Sequence, residues 1–317
     1  MKNNYLLPTI DIVIPLYMPN NSIKLLLYCL LNQTHQAQNI IIINSGASRE
    51  INNFIDDLNN HYPMIIHKKI NRLNPGSARN YGLQFCKSDY VAFLDVSTFP
   101  ELNWINKNLT YIYDNNLSII FGSRLTLANS FSKKINKWSS YGNSSYEALT
   151  GTIIKIDLIK KNNLYFKNTR AGEDIEWIER AKKICNKISY SSEIYYNGLY
   201  ENWLQSFFKW YNYSFAYSKI DKDINYQKGI YFFTTIYLTI LGLYFLNSNP
   251  YHFVIFLTIN YAFYFVYFSI IRPFRKGVEI RKLLPFNWVL IGMYRTILDL
   301  AKFPGLIYGY LKIIIKF

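Results

Sequence analysis

The sequence predicts an α/β protein in which a mostly parallel, Rossmann-like sheet with flanking helices precedes a membrane domain. Three observations support this fold class. Short apolar runs alternate with helical patterns over residues 11–95, as in a parallel sheet with crossover helices. One such run ends at Asp95, where parallel sheets place ligand-binding groups. A long stretch without charged residues follows nearer the C-terminus.

The alternation defines the first elements in order along the chain. Short apolar runs predict buried strands, and apolar residues three or four apart predict helices. The helix predicted over 22–31 turns Leu25, Leu26 and Leu30 inward. The predicted strands are 12–14, 40–43, 64–67 and 90–94, and the predicted helices are 22–31, 48–60 and 77–86.

Beyond Asp95 the pattern is less regular. A helix over 173–183 begins with acidic residues and ends with basic ones, the charge order that the helix dipole favours. The first domain is predicted to cover residues 1–218. Its remaining elements are a helix at 102–114, strands at 118–121 and 151–156, and a polar loop at 130–145.

Residues 229–271 contain no Lys, Arg, Asp or Glu. The two halves of this stretch, about 229–246 and 251–271, are each long enough to cross a hydrocarbon core of about 30 Å as a helix. A transmembrane hairpin within a membrane domain, 219–317, is therefore predicted, with a buried helical hairpin as the alternative. Lys and Arg flank both ends, so the catalytic domain and the C-terminus are expected on the cytoplasmic side of the cell inner (plasma) membrane.

The tail, about 285–316, is predicted to form interfacial helices. Arg295, Asp299 and Lys302 fall on one helical face, which suits a helix lying in the membrane surface. A break is expected at Pro304, next to Gly305.

The formal net charge of the chain is +15. The segment from Arg272 to the end of the sequence contains nine Lys and Arg but only two acidic residues, Glu279 and Asp299, which gives it a net charge of +7. No nucleic-acid partner is expected, because zinc-ligand spacing, a basic-region helix and an RNA-binding aromatic signature are all missing from the sequence.

Three acidic residues, at two places in the sequence, are the first candidates for chemistry. A carboxylate at Asp95 requires a cationic partner, such as Arg, Lys or a divalent metal carrying phosphates, although a turn or helix N-cap would also explain it. Glu173 and Asp174 start a helix side by side, so repulsion can raise one pKa enough to make a general base. Complementing the helix dipole is the alternative for this pair.

Five segments, in this order and at roughly this spacing, resemble those of family 2 glycosyltransferases. The resemblance covers about residues 10–215 and implies an inverting enzyme with the GT-A fold, similar to bacterial cell-surface polysaccharide glycosyltransferases. The segments are 12–15 (IVIP), 43–48 (INSGAS), 74–80 (NPGSARN), 93–97 (FLDVS) and 171–174 (AGED).

The resemblance also implies roles for individual residues. Asp174 would be the catalytic base, with Glu173 as its neighbour. Contacts to the acceptor would come from Gly151, Thr152, Trp177 and Arg180. The implied nucleotide-sugar-binding residues are Pro15, Tyr17, Asn44, Ser45, Gly46, Arg79, Asn80, Asp95, Val96 and Ser97.

Three positions depart from the family pattern. Ser97 stands where members usually carry a second Asp, Asn44 where they carry an Asp, and Asn197 where a His is common. A divalent metal, Mg²⁺ or Mn²⁺, would then be held by Asp95 with phosphates and waters, with Ser97 and Asn197 as weak ligands. The alternative is a weakened, altered or lost donor site.

The expected activity is transfer of a single sugar from a nucleotide-sugar, with a UDP-sugar favoured, to a membrane-bound, polyprenyl-linked glycan acceptor in surface glycan synthesis. Membrane attachment suggests the lipid, because it confines the enzyme to the surface where lipid-linked sugars lie. The alternative is a catalytically weakened or inactive relative that binds a glycan or a partner protein at the membrane. The sequence gives no oligomeric state.

Overall fold

The structure is a computed structural model that describes residues 7–17, 21–200, 202–217, 239, 241–243 and 250–315. The chain forms two compact units. The first comprises Met1–Leu127 and Ser145–Gly198, and the second comprises Ala128–Ser144 and Leu199–Phe317. The second unit thus includes an internal segment that the sequence pattern placed in the first domain.

The first unit is built on one eight-stranded sheet. Its strands are β1 (Ile10–Leu16), β2 (Asn39–Asn44), β3 (Ile65–Lys69), β4 (Tyr90–Phe93), β5 (Thr98–Pro100), β6 (Ile119–Thr126), β7 (Tyr146–Lys155) and β8 (Tyr190–Tyr196). Across the sheet the order is β3-β2-β1-β4-β7-β6-β8-β5. The first four are parallel, and β7, which is antiparallel to β4, begins a mixed half. The predicted α/β fold class is confirmed.

The helices are numbered along the whole chain. They are α1 (Ser22–Leu31), α2 (Arg49–His61), α3 (Pro75–Leu83), α4 (Trp104–Asp114), α5 (Phe131–Ser140), α6 (Ile156–Lys161), α7 (Glu173–Lys183), α8 (Trp203–Tyr217), α9 (Pro250–Val266), α10 (Arg272–Arg275), α11 (Ile280–Leu283) and α12 (Asn287–Ile315). A π-helical segment, Tyr267–Ile271, joins α9 to α10. The bounds of α1 and α7 are those that the sequence predicts.

Two hydrophobic cores cover the two faces of the sheet. Successive side chains of a strand point to opposite faces, so Ile12 packs with α1 and α4, whereas Val13 packs with α3 and α7. Strands buried on both sides give the continuous apolar runs seen in the sequence. Leu25 was predicted to face inward, but its side chain is exposed. The buried face of α1 consists of Ile23, Leu26, Leu27 and Leu30.

The predicted polar loop at 130–145 is wrong, because α5 occupies most of it. Ser130 caps this helix by accepting a hydrogen bond from the backbone N–H of Lys133. Ile135 and Trp138 are buried in the core of the second unit. The helix is polar over most of its surface, so its composition alone resembles a loop.

The second unit contains a helical run, Tyr251–Arg275, that is long and apolar enough to cross a membrane by length and composition. The first predicted span, about 229–246, lies outside the described residues except for 239 and 241–243.

The predicted break at Pro304 is also wrong, because α12 continues through it to Ile315. A proline removes one backbone donor, and here packing supports the helix around it. Gly305 approaches α8 so closely that a Cβ atom would lie 2.0 Å from the Oγ of Ser214.

Candidate active site

Asp95 follows the end of β4 and has a fixed backbone. Its N–H donates to the Oγ1 of Thr150 on β7 at 3.1 Å, and its carbonyl accepts from the hydroxyl of Thr98 on β5 at 2.5 Å. The carboxylate remains partly exposed. The sheet therefore positions this side chain at the carboxyl end of a central strand, where α/β proteins bind ligands.

Arg79 connects Asp95 to the start of α7. Its guanidinium donates to Asp95 Oδ1 at 2.7 Å and to Glu173 Oε1 at 3.3 Å. The side chain is only 5% exposed. Burial by itself would lower the pKa of Arg79, but the carboxylates of Asp95, Glu173 and Asp174 raise it overall. A charged guanidinium thus holds together acidic groups from residues 95 and 173.

The acidic pair begins α7 after Gly172, whose φ of 83° is in the left-handed region that favours glycine. Glu173 is buried, and burial raises its pKa to about 7, a shift that Arg79 opposes and Asp174 reinforces. Asp174 is less buried, and its Oδ1 accepts from the N–H of Ile175. Gly76 of α3 allows this approach, because a Cβ there would lie 3.0 Å from the Cγ of Glu173.

Asn44 is one of the predicted nucleotide-sugar contacts, but both polar atoms of its side chain are hydrogen-bonded within the protein. Its Oδ1 accepts from the N–H groups of Gly46 and Ala47 at 3.2 and 2.9 Å. Its Nδ2 lies 2.5 Å from Asn52 Oδ1 and 3.1 Å from His67 Nε2. These contacts fix the turn after β2 and leave Asn44 no spare polar atom for a nucleotide.

His67 is a residue that the sequence pattern did not single out. Its Nδ1 lies 2.7 Å from Asp56 Oδ1, and its side chain is almost fully buried. Burial lowers its pKa, although Asp56 acts in the opposite direction. A neutral ring with the proton on Nδ1 satisfies both contacts, because Nε2 then accepts from Asn44. A histidine within the strand predicted over 64–67 was the available signal.

The other predicted nucleotide contacts differ in accessibility. Tyr17 is exposed at the end of β1, with the guanidinium of Arg72 5.1 Å from its ring centroid. Pro15 and Val96 are partly exposed. Ser45 is buried, and its N–H donates to Leu16 at 2.9 Å.

Asn80 is not available to a nucleotide in this structure. Its amide makes two 2.8 Å hydrogen bonds with the backbone of Phe166. The side chain therefore anchors the loop before α7 instead of pointing into the site.

Two of the predicted acceptor contacts are also corrected. Trp177 is fully buried, stacks on Phe166 and donates to the carbonyl of Leu164. Thr152 is fully buried, and its hydroxyl accepts from the N–H of Gly122. Trp177 was predicted to contact the acceptor because it lies one helical turn after Glu173. Its indole instead faces the core.

The other two predicted acceptor contacts also have structural roles. Gly151 is buried in β7 with a φ of 87°. Arg180 donates to both oxygens of Glu176 and to the carbonyl of Tyr165. Arg180 is partly exposed and can still offer a face to a ligand.

The candidate metal ligands form a sparse set. Ser97 follows Asp95 closely in sequence, and its carbonyl accepts from the N–H of Asn197 at 3.0 Å. Among the described residues, no three His, Cys, Asp or Glu side chains cluster as metal ligands. One oxygen of Asp95 already binds Arg79. This donor set fits a Mg²⁺ or Mn²⁺ ion that arrives with phosphates and waters, and does not fit a cation enclosed by protein groups.

The raised pKa of Glu173 predicts a pH dependence of stability. Its folded-state pKa of about 7 exceeds the ordinary value of 4.5, so its stabilising contribution is complete below about pH 4.5 and is lost as the pH rises through about 7. Relative to Glu173→Gln, the wild type should lose about 3 kcal/mol of unfolding free energy across this window. Denaturant unfolding at several pH values measures the difference.

Glu179→Gln, on the same helix but more exposed, is the matched control and should keep the wild-type pH profile. Parallel profiles for the wild type and Glu173→Gln would contradict the raised pKa.

Comparison with known proteins identifies the class. The model of the family described as glycosyl transferase family 2 matches residues 11–169. The chain belongs to this family, and the predicted glycosyltransferase with a GT-A fold is confirmed.

Three glycosyltransferases from other bacteria are similar to part of this chain. An uncharacterised glycosyltransferase from Rickettsia bellii is 27% identical over 52% of the chain, but the match spans 25% of that protein's length. A second, from Haemophilus influenzae, is 25% identical over 59% of the chain and 77% of its own length. YibD of Escherichia coli, also called an uncharacterised glycosyltransferase, is 23% identical over 69% of the chain and 67% of its own length.

Among solved structures, Staphylococcus aureus TarS 1–349 is 16% identical, with a TM-score of 0.48, over 92% of this chain and 90% of that one. The structure of TarS 1–349 in complex with UDP-GlcNAc has a TM-score of 0.47, again over 92% of this chain and 90% of that one.

Proposed function

We propose that this glycosyltransferase moves a single sugar from a nucleotide-sugar to a hydroxyl of a membrane-bound, polyprenyl-linked acceptor, with inversion at the anomeric carbon. The main support is the junction of Asp95, Arg79 and the Glu173–Asp174 pair at the carboxyl end of β4. At this junction Asp174, as a proton acceptor, lies beside Asp95, which suits the diphosphate of a nucleotide-sugar donor. A UDP-sugar is the favoured donor, and surface glycan synthesis is the favoured setting.

In the proposed reaction Asp174 takes the proton of the acceptor hydroxyl. The hydroxyl oxygen forms a bond to the anomeric carbon as the bond from that carbon to the diphosphate oxygen breaks. The nucleoside diphosphate leaves with the electron pair, and attack from the opposite face inverts the configuration. Of the two carboxylates, Asp174 is the more exposed, which suits it for contact with an incoming acceptor.

Glu173 and Arg79 act as positioning groups. The buried guanidinium fixes the carboxylates of Asp95 and Glu173 relative to each other, so donor and acceptor groups are held in a defined geometry. Asp95 would hold a divalent metal through the oxygen that Arg79 does not bind, with Ser97 and Asn197 as weak ligands. When bound, such a metal neutralises charge on the departing diphosphate.

Membrane attachment is part of the proposal. The run Tyr251–Arg275 is long and apolar enough to span a bilayer, and only 6% of its most apolar window is buried. A soluble core helix would bury most of that surface. An enzyme held in this way at the cytoplasmic face of the inner membrane would encounter lipid-linked acceptors.

A donor panel tests the proposal. The full chain is purified in detergent with a polyprenyl-phosphate-linked sugar as acceptor, and nucleoside diphosphate release is measured for a set of UDP- and GDP-sugars. Release that depends on one donor and on the acceptor is expected. An absence of release for every donor, together with an absence of UDP and GDP binding, would refute the proposal.

A second candidate function is a catalytically weakened relative that binds a glycan or partner at the membrane. The saturated hydrogen bonding of Asn44 favours it, because that side chain cannot contact a nucleotide without rearranging. Calorimetric titration with UDP, with and without Mn²⁺, separates the two functions. Metal-assisted binding supports the enzyme, and an absence of binding supports the second candidate.

A further inference from the structure

A group of basic side chains in the second unit has no part in the chemistry proposed above. We name Lys276, Arg295 and Lys302, together with the adjacent Arg272, the basic cluster. The guanidinium carbons of Arg272 and Arg295 lie 5.5 and 4.9 Å from the ring centroid of Phe268. Residues of α10 and α12 thus meet at Phe268, and Lys276, which follows α10, donates to the same Ser140 carbonyl as Arg272.

The cluster is packed within the unit, unlike an ordinary charged flank. The side chains of Arg295 and Lys302 are 13% and 24% exposed, whereas that of Arg281 is 82% exposed. The ammonium of Lys302 lies 4.5 Å from the ring centroid of Trp210. Basic residues that only flank a membrane span can remain solvated, so this burial requires another explanation.

Positive charge exceeds negative charge at this place. Asp299 accepts from Arg295 at 2.7 Å and from Lys302 at 2.9 Å. Lys276 donates to the carbonyl of Ser140 at 3.0 Å, and no carboxylate in the described part of the chain is bonded to it. One carboxylate is therefore shared by Arg295 and Lys302, and the nearby Lys276 adds a further positive charge.

The electrostatic environment shows the same excess. Burial lowers the pKa of Lys276 to about 8, and repulsion from Arg272 and Arg295 acts in the same direction. Burial and then Arg295 also lower the pKa of Lys302 to about 8, although Asp299 acts in the opposite direction. An anion close to these ammonium groups would relieve the repulsion.

Capping of α5 explains only part of the arrangement. Arg272 donates to the carbonyls of Ser139 and Ser140 at the end of that helix, and Lys276 donates to Ser140. Cations are favourable there, but a helix C-terminus carries only about half a negative charge. Capping also does not account for Arg295 and Lys302 on α12, whose two positive charges share the single carboxylate of Asp299.

We propose that the basic cluster binds the phosphate or diphosphate group of a membrane lipid, with Lys276, Arg295 and Lys302 as its ligands. Lys and Arg recognise phosphates through charge-assisted hydrogen bonds. The cluster adjoins the end of the run Tyr251–Arg275, and the end of a membrane span lies at the level of lipid headgroups. The inference rests on the proposed function, since it identifies the phosphate of the lipid-linked acceptor as the ligand.

Lipid retention tests the inference. The full chain is reconstituted in phosphatidylcholine nanodiscs with a radiolabelled polyprenyl phosphate, and the label retained after washing is measured. Lys276→Gln/Lys302→Gln should retain the lipid at least about tenfold more weakly, because charge-assisted hydrogen bonds to the phosphate are lost. Arg281→Gln/Lys282→Gln removes the same charge from side chains that pair with Glu279, and should change retention by less than about twofold.

Further arms make the result specific. Lys276→Gln alone leaves both pairs to Asp299 in place and should still weaken retention. Equal losses in the two double variants, or no loss in either, would overturn the inference. Inorganic pyrophosphate that displaces the lipid at equal concentration would assign the cluster to a free anion and overturn the lipid assignment.

UDP binding is measured on the same samples, so that the two proposals can fail separately. The Lys276→Gln/Lys302→Gln variant should bind UDP as the wild type does. Retention of the lipid by a wild type that binds no nucleotide would refute the proposed function and support the basic cluster. Nucleotide binding without retention of the lipid would support the proposed function and overturn the basic cluster as a lipid-phosphate site.

Discussion

Replacing Asp174 with Asn is expected to lower sugar transfer by about 10²–10⁴-fold, the range that general-base catalysis contributes. The amide cannot take a proton from the acceptor hydroxyl. It does keep an oxygen that can accept from the N–H of Ile175, as Asp174 does, so the start of α7 should survive. Nucleoside diphosphate release at saturating donor gives the rate, and calorimetric titration with UDP should give an unchanged affinity.

Asp157→Asn is the matched control for this experiment. Asp157 also lies in the first turn of a helix, α6. Asp157 lies near the opposite end of β4 from Asp95. Lys155, two residues before Asp157, pairs with Tyr90 at the start of β4, and Asp95 follows the end of that strand. The control should keep wild-type turnover. Equal turnover in Asp174→Asn and the wild type would remove Asp174 from the role of base.

The first half of the sheet could be predicted from the sequence because its pattern is local. Strands β1, β2 and β4 are buried on both faces, so each appears as an apolar run bounded by polar residues. Their order along the chain, with helices between them, determines parallel pairing by crossover rules. Helix α7 could be predicted to the residue because its charges change sign from one end to the other.

Elements that depend on distant partners could not be predicted in this way. β8 has the sequence YSSEIYY, in which Ile194 is fully buried and most residues are polar or partly exposed. β5 has three residues and forms a strand only by pairing with β8. Both acquire strand structure from a neighbour many residues away, which periodicity cannot show.

The candidate site shows the same division. Spacing and resemblance identified Arg79, Asp95 and the Glu173–Asp174 pair, but not the ion pairs that join them across 94 residues of sequence. They also assigned nucleotide contact to Asn80, whose amide is used instead by the backbone of Phe166. Residue type reveals which groups can do chemistry, whereas hydrogen bonding in the fold decides which of them remain available.

Replacing Arg79 with Met is expected to destabilise the first unit by about 3–5 kcal/mol, because its removal leaves the buried carboxylate of Glu173 and the partly exposed carboxylate of Asp95 without their shared counter-charge. Arg79 is the cation bonded to both Asp95 and Glu173. Thermal or denaturant unfolding of the full chain in detergent measures the loss. Lys107→Met breaks an exposed pair with Glu101 and should cost at most about 1 kcal/mol.

The origin of the Arg79 effect can be separated from the loss of packing. If uncompensated carboxylates cause it, Arg79→Met should lose less stability at pH 5 than at pH 8, because Glu173, with a pKa already raised to about 7, is protonated at the lower pH. Adding Glu173→Gln should also recover part of the loss, giving a coupling energy of about 0.5–3 kcal/mol in a double-mutant cycle. A loss that is independent of pH and additive with Glu173→Gln would show that Arg79 acts through packing, and its role as the cation that joins the two carboxylates would be wrong.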